Sequence, residues 1–296
     1  MKKRYVSSVV IAMYLVLISG VIAAYAEEQY QTAVSGLYSH VDGDQGSSTI
    51  SYGLSGREYF TPVKTDGHPY SEASFLERIG SMYGVVQQQE FKSPGRTGDG
   101  PFLGIELNAT KPGFPLAIEL FYNRSMRDYD PPSTLEATTD IYGTRAGYFI
   151  TDTGIVGIQH LYSTSDNESA GYSPTIIRQQ QYGFFTKYDH DLGENKMVSL
   201  QATLTKHTTR QFTEMLRNTE ESLSVDYYFT RSLSAGVEFK NKSGTEVAWE
   251  GKTWSAGIQY YVTRLISVNV GFSRFLNAND GKESSKSYTT GLSARF

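Results

Sequence analysis

The chain has 296 residues, 20% of them charged, a formal net charge of -4, no cysteine and a mean hydropathy of -0.38. The acidic balance excludes a basic nucleic-acid surface. The lack of cysteine excludes disulfides, thiolate metal sites and a lipid-modified N-terminal cysteine. With 28 Gly, 22 Tyr and 15 Phe against only 9 Pro, the composition fits many strands and turns.

Residues 1–26 read as a secretory signal peptide. Lys2, Lys3 and Arg4 precede an apolar run from Val6 to Ala24, and Ala24-Tyr25-Ala26 gives an A-x-A cleavage pattern before Glu27-Glu28. An uncleaved anchor is the competing reading, because the run is nearly long enough to span a bilayer. Removal of three basic residues takes the formal charge from -4 to about -7. No later apolar run approaches the length of a spanning helix. Negative hydropathy does not oppose a membrane barrel, since half of each barrel strand faces water.

Alternation of apolar and polar residues marks fourteen segments over 27–296. Tyr30–Val41 puts Tyr30, Val34 and Tyr38 on one face. After the turn Asp42–Ser47, Ser48–Tyr59 sets Ile50, Tyr52 and Leu54 outward and Arg57 inward. Thr61–Ser74 is the least regular connection, and Leu76–Gln88 carries apolar residues on both faces. Phe102–Ala109 opposes Leu103, Ile105 and Leu107 to Glu106. Leu116–Asn123 opposes Ile118 and Leu120 to Glu119, and Thr138–Ile150 opposes Tyr148 and Ile150 to Arg145. Next come Ile155–Ser163, Ile176–Tyr188 with Lys187 inward, Met197–Lys206, and Ser222–Phe229 with Asp226 inward. Leu233–Asn241 places Glu238 and Lys240 inward. Trp254–Val262, Ile266–Phe275 and the stretch from Lys286 complete the set.

The gaps alternate in length. Lys111-Pro112-Gly113, Thr151-Asp152-Thr153, Thr230-Arg231-Ser232 and Thr263-Arg264 are tight. Gln89–Gly100, Ser125–Glu136, Thr164–Thr175, His207–Glu220 and Leu276–Ser285 are long and polar. Short periplasmic turns and long outer loops are what an outer-membrane barrel has. Tyr148-Phe149-Ile150-Thr151, Tyr228-Phe229-Thr230 and Tyr261-Val262-Thr263 each place an aromatic before a Thr turn, which predicts a repeated hairpin and a periplasmic aromatic girdle. Fourteen strands give roughly nineteen residues per strand and connection, enough for strands of about 9–11 residues; 12 or 16 strands are the alternatives.

Tyr288, Thr290, Leu292, Ala294 and Phe296 share one strand face, opposite Ser287, Thr289, Gly291, Ser293 and Arg295. Tyr288, Leu292 and Phe296 resemble the C-terminal assembly signal of Gram-negative outer-membrane β-barrels. Pro69-Tyr-Ser-Glu72-Ala73-Ser-Phe75-Leu76 resembles a stretch found in a group of outer-membrane porins. The resemblance implies an all-β, transmembrane, antiparallel up-and-down barrel over 27–296. It further implies contact with outer-membrane lipid, insertion by the barrel assembly machinery and passive diffusion of small hydrophilic solutes and ions. The chain is shorter than many trimeric general porins and closer in size to monomeric fourteen-stranded channels, so a homo-oligomer stays open.

The candidate pore-lining charges are Arg57, Glu106, Glu119, Arg145, Lys187, Asp226, Glu238 and Lys240, four acidic and four basic. Such a balance predicts at most a mild cation preference, and wall solvation or cross-strand pairing is the plainer role for each. The remaining acidity is expected in loops such as Asp128-Tyr129-Asp130 and Glu220-Glu221. A barrel hydrolase would need a nucleophile oriented by a base. The tempting group is His160, Ser163 and Asp166, but residues three apart on a strand point to opposite faces. Asp189-His190-Asp191 is the closest set of potential metal ligands and falls in an expected turn, while Arg96-Thr-Gly-Asp99 reads as outer loop. No catalytic residue, metal site or cofactor is assigned. A surface adhesin or structural barrel is a third reading, since every such barrel offers outer loops.

Overall fold

The computed structural model describes residues 29–43, 46–65, 67–130, 135–169, 175–211, 214–244, 250–277 and 283–296. The expected signal peptide lies outside them. Fourteen antiparallel strands form one closed barrel in sequence order, and the last strand pairs with the first. They are β1 (Gln29–Gly43), β2 (Ser48–Lys64), β3 (Ser81–Ser93), β4 (Arg96–Thr110), β5 (Leu116–Tyr129), β6 (Leu135–Thr151) and β7 (Gly154–Ser169). Then follow β8 (Thr175–Gly193), β9 (Lys196–Gln211), β10 (Glu214–Thr230), β11 (Leu233–Gly244), β12 (Gly251–Tyr261), β13 (Ile266–Asn277) and β14 (Glu283–Arg295). One helical turn, α1 (Ala73–Leu76), lies between β2 and β3.

Closure removes the free sheet edges that would otherwise invite aggregation. It rests on a long register from Ala33↔Arg295 to Gly43↔Ser285. The Phe296 carbonyl accepts N–H bonds from Gln31 (3.0 Å) and Thr32 (2.8 Å), and its own N–H donates to the Thr32 carbonyl (2.9 Å).

The outer face is apolar and exposed, as at Ile105 (55%), Ile158 (58%), Phe184 (66%) and Val270 (59%). In water such a band would be untenable; in lipid it is the stable arrangement. The inner face is polar on the alternate residues. Buried apolar packing concentrates inside the turn end of the barrel, where Tyr30, Tyr59, Val63, Ala73, Ile79 and Leu265 form one cluster.

Several sequence expectations are corrected. The third strand starts at Ser81, not Leu76, because 72–79 folds into α1 and its flanking turns. The long polar gaps are mostly barrel wall. Ser93 pairs with Arg96, Asp128 with Glu136 and Gln211 with Glu214, so Arg96–Asp99 is strand. Asp128-Tyr129 and Glu220-Glu221 are strand as well. Above the lipid both faces of the wall meet water, so the apolar alternation stops while the ladder continues. Asp189-His190-Asp191 also lies within β8, and the turn follows at Glu194 and Asn195, whose φ of 53° and 64° suit a type I′ hairpin. Tyr30 faces inward, away from Val34 and Tyr38, because the ladder slips between Tyr30 and Thr32.

The aromatic–Thr repeat is real but does a different job. The Thr230 hydroxyl oxygen accepts from the Ser232 and Leu233 N–H groups, and that of Thr263 from Leu265 and Ile266. The girdle is built by Tyr148, Phe229 and Tyr260, about half exposed, whereas Phe149, Tyr228 and Tyr261 are buried inside.

Gly143 lies directly opposite Phe121, and a Cβ there would fall 1.9 Å from the Phe121 ring. The aromatic covers the glycine from across the ladder. Gly143→Val is therefore expected to cost about 1–3 kcal/mol and to lower the temperature at which the folded band unfolds in gel electrophoresis. Phe121→Ala should restore it, and an unchanged transition would contradict this packing.

Candidate functional site

The eight candidate charges all lie on the inner face. Arg57 pairs with Glu106 (3.1 Å) and donates to the Ser81 hydroxyl (2.8 Å). Arg145 pairs with Glu119 (3.1 Å) and donates to Gln159 (3.1 Å). Lys240 pairs with Glu238 (3.1 Å). Lys187 pairs with Glu72, a residue outside the eight. Asp226, opposite Ser199 and Gly236, forms no ion pair among the described residues. Ion pairing thus cancels most of this charge and leaves carboxylate in excess among the described residues.

Glu72 belongs to the largest feature that strand periodicity missed. The segment 67–80 folds back into the turn end of the lumen and reaches from β14 across to β6. The Tyr70 N–H donates to the Arg231 carbonyl (3.0 Å), and the Tyr70 carbonyl accepts from Arg295 (2.6 Å). The Tyr70 ring meets Tyr261 edge-on at 5.4 Å. Glu72, with a side chain 12% exposed, accepts from Lys187 and from the Tyr228 hydroxyl (2.7 Å). Phe75 packs on Phe149 at 5.7 Å. Arg78 donates to the Thr151 carbonyl (3.0 Å) and to Asp152 (3.1 Å). The inward aromatic of each Thr-turn repeat is thus the seat for one part of the segment. The signal was present in the sequence: the irregular connection contains Pro69–Leu76, the stretch that carries the family resemblance.

Asp189 sits beneath this contact. It is 1% exposed, neither carboxylate oxygen has a hydrogen-bond partner among the described residues, and the Lys187 ammonium stands 4.0 Å away. Lys187 therefore stands between a carboxylate on the segment and one on the wall.

The segment separates two chambers. The smaller, about 280 Å³, is lined by Arg57, Arg78, Arg145 and Lys187 with Phe75, Phe149 and Phe185. The larger, about 530 Å³, is lined by Glu72, Asp226 and Glu238 with Ser224, Ser234, Gly236, Ser255, Gly257, Asn269, Gly271 and Thr289. On the β3–β8 side the inner face carries Tyr83, Phe102, Phe121, Leu161 and Phe185. The open space is consequently eccentric, along the small hydroxyl-rich wall of β10–β14.

Other sequence-marked groups fall elsewhere. His160 is on the outer face, stacked on Tyr182 at 4.6 Å, while Ser163 pairs with Ile141 and Gln179 on the inner face, so the two do not meet. His207 and Glu220, expected in a loop, face the lumen from β9 and β10 at 3.9 Å. Among the described residues no group of three or more His, Cys, Asp or Glu side chains is placed to hold a metal ion.

Residues 1–296 match the family described as putative general bacterial porin. No curated protein matches the chain. Among solved structures, outer membrane protein Omp33 of Acinetobacter baumannii aligns with a TM-score of 0.58 at 17% identity, over 92% of this chain and 100% of its own. The toluene transporter TodX of Pseudomonas putida gives 0.45 at 9% identity, over 92% and 90%. A KdgM porin in complex with disordered oligogalacturonate gives 0.40 at 9%, over 89% and 99%. The first likeness supports the fold; the other two are too weak to bear on it.

Proposed function

The chain belongs to the general bacterial porin family, and we propose that it conducts small hydrophilic solutes and ions along the eccentric path beside β10–β14. The observation that carries this reading is a closed barrel, apolar outside and polar inside, in which the larger of the two chambers beside the segment is lined by hydroxyl, amide and carboxylate groups. As a porin of the outer membrane it has its turn end at the periplasm and its loop end at the cell surface. Selection acts through lumen width and lining charge, with no covalent step. The segment 67–80 narrows the periplasmic exit. Residues 1–26 serve export, and Tyr288, Leu292 and Phe296 serve recognition by the barrel assembly machinery.

Liposome swelling tests passage directly. Proteoliposomes should swell in small neutral sugars and progressively less as solute size grows, and no swelling in any sugar would contradict the reading. Ion preference tests the path. Asp226 lines the wide chamber and Arg145 the narrow one. Under a KCl gradient, Asp226→Lys should shift the reversal potential toward anions by more than Arg145→Glu shifts it toward cations. The reverse ranking would place the path on the Arg145 side.

A further inference from the structure

The outer wall carries a second polar feature, at the turn end of β1–β5 and facing away from the lumen. Glu58 on β2 is exposed on the outer face, while its chain neighbour Tyr59 turns inward to the cluster with Tyr30 and Val63. Phe60, 53% exposed, lies two residues nearer the turn. Exposed aromatics mark the membrane interface, so Glu58 stands at headgroup height. Its ladder partners are Thr32 and Met82, and the next rung on this face holds Val34, Gly56 and Gly84. None of these is basic. The Thr32 hydroxyl donates to the Glu58 carboxylate (2.5 Å), and Glu58 forms no ion pair among the described residues. Arg57 faces the lumen and pairs with Glu106. The next cation on the outer face of β2, Lys64, is six residues further on, about 20 Å along the strand. One neutral hydroxyl therefore answers this carboxylate, which leaves room for the stronger hydrogen bonds an ammonium would donate.

Beside Glu58, toward the middle of the bilayer, the outer wall is hollowed. Gly56 and Gly84 are direct ladder partners. A Cβ at Gly56 would meet nothing within 4 Å, and one at Gly84 would meet only the Gly104 carbonyl, at 3.9 Å. Packing of the wall thus calls for neither glycine, and the pair leaves open space. The groove there is about 620 Å³, edged by the outward side chains of Thr32, Glu58, Met82, Ile105, Leu107 and Leu120. Gly56 is about 7 Å along the strand from Glu58. A carboxylate at headgroup height beside an apolar groove in the lipid-facing wall matches a molecule with a cation at one end and an acyl chain at the other. We propose that the β1–β5 face binds one phospholipid with a primary-ammonium head group, phosphatidylethanolamine of the inner leaflet. Its ammonium donates to Glu58, and an acyl chain lies over Gly56 and Gly84. The same carboxylate repels an anionic head group. Placement in the inner leaflet rests on the porin reading.

The test uses the full-length folded protein in detergent, its fold checked by the heat-dependent gel shift. Binding is titrated with phosphatidylethanolamine, phosphatidylcholine and phosphatidylglycerol of identical acyl chains, and with glycerophosphoethanolamine, the head group without chains. Wild type should bind phosphatidylethanolamine about threefold or more tighter than either other lipid, with no competition from glycerophosphoethanolamine at the same concentration. Glu58→Gln should bring the three affinities together. Gly56→Leu should weaken all three by filling the groove, and Ile158→Val, on a distant strand, should change nothing. Equal affinity of wild type for the three lipids, or a preference that survives in Glu58→Gln, overturns the proposal. Unchanged affinities in Gly56→Leu overturn it as well, because the chain then lies elsewhere. Competition by glycerophosphoethanolamine overturns it in favour of a free-amine site. A particle mass of two or more copies that falls to one in Gly56→Leu overturns it in favour of contact between copies of this chain. The lipid comparison on wild type decides the matter even where a variant does not fold. Single-channel conductance should stay unchanged in Glu58→Gln. Absence of conductance in wild type itself, with the lipid preference intact, contradicts the porin reading and not this site.

Discussion

Glu72→Ala should raise the open probability and the mean conductance of the reconstituted channel at least severalfold. Glu72 holds the middle of the in-folded segment to two strands at once, through Lys187 of β8 and the Tyr228 hydroxyl of β10. The pair is largely shielded, with side chains 16% and 12% exposed. Removing one partner leaves an ammonium and a hydroxyl without their acceptor, a cost of about 3 kcal/mol, or roughly a hundredfold in the balance between docked and released segment. Lys187 then has an alternative partner in Asp189, 4.0 Å away, which removes a reason for the segment to return. Lys187→Met breaks the same contact from the wall and should act in the same direction. The ends of the segment remain tied by Arg295 and Arg78, so opening is expected as transitions between levels rather than as one large permanent pore. Single-channel recording checks this. Identical levels and dwell times in Glu72→Ala and wild type would mean that the segment does not restrict the path.

Deleting Phe296 should cut the yield of assembled barrel sharply while leaving the conductance of whatever assembles unchanged. Three backbone hydrogen bonds at the β1–β14 seam end on this residue, worth about 1 kcal/mol each. They lie where closure must be completed, so their loss falls on assembly. Phe296→Ala keeps all three bonds and removes only the ring. Reduced assembly of Phe296→Ala, measured as the heat-shifted fraction in membranes, would show that the aromatic ring itself is read during insertion. Normal assembly of Phe296→Ala and of the deletion would leave the final residue without the role assigned to it.

Much of the wall was legible because one physical rule governs it. Lipid on one side and water on the other impose period-two alternation, which places Arg57, Glu106, Glu119, Arg145, Lys187, Asp226, Glu238 and Lys240 inside from sequence alone. The rule lapses where both faces meet water. There Arg96–Asp99, His207–Gln211 and Glu214–Glu220 read as loop although they are paired in ladders. It also lapses where a bulge resets the parity, as at Tyr30. The resemblance at Pro69–Leu76 marked the in-folded segment, but its contacts were illegible for another reason: they join residues as far apart as Tyr70 and Arg295, and no local pattern reports them. Charge counting had the same blind spot. Four acids and four bases predict little selectivity, but the structure has Lys187 shared between Glu72 and Asp189, and Asp226 forms no ion pair among the described residues. The mild cation preference expected from composition is therefore expected to arise on the wall between β8 and β11.

The most direct test of the channel itself is current through a planar lipid bilayer doped with purified, heat-modifiable wild-type protein. Stepwise conductance increments, linear with voltage and reversing slightly toward cations in a KCl gradient, are the predicted result. Folded protein that inserts without passing current at any applied voltage would contradict it.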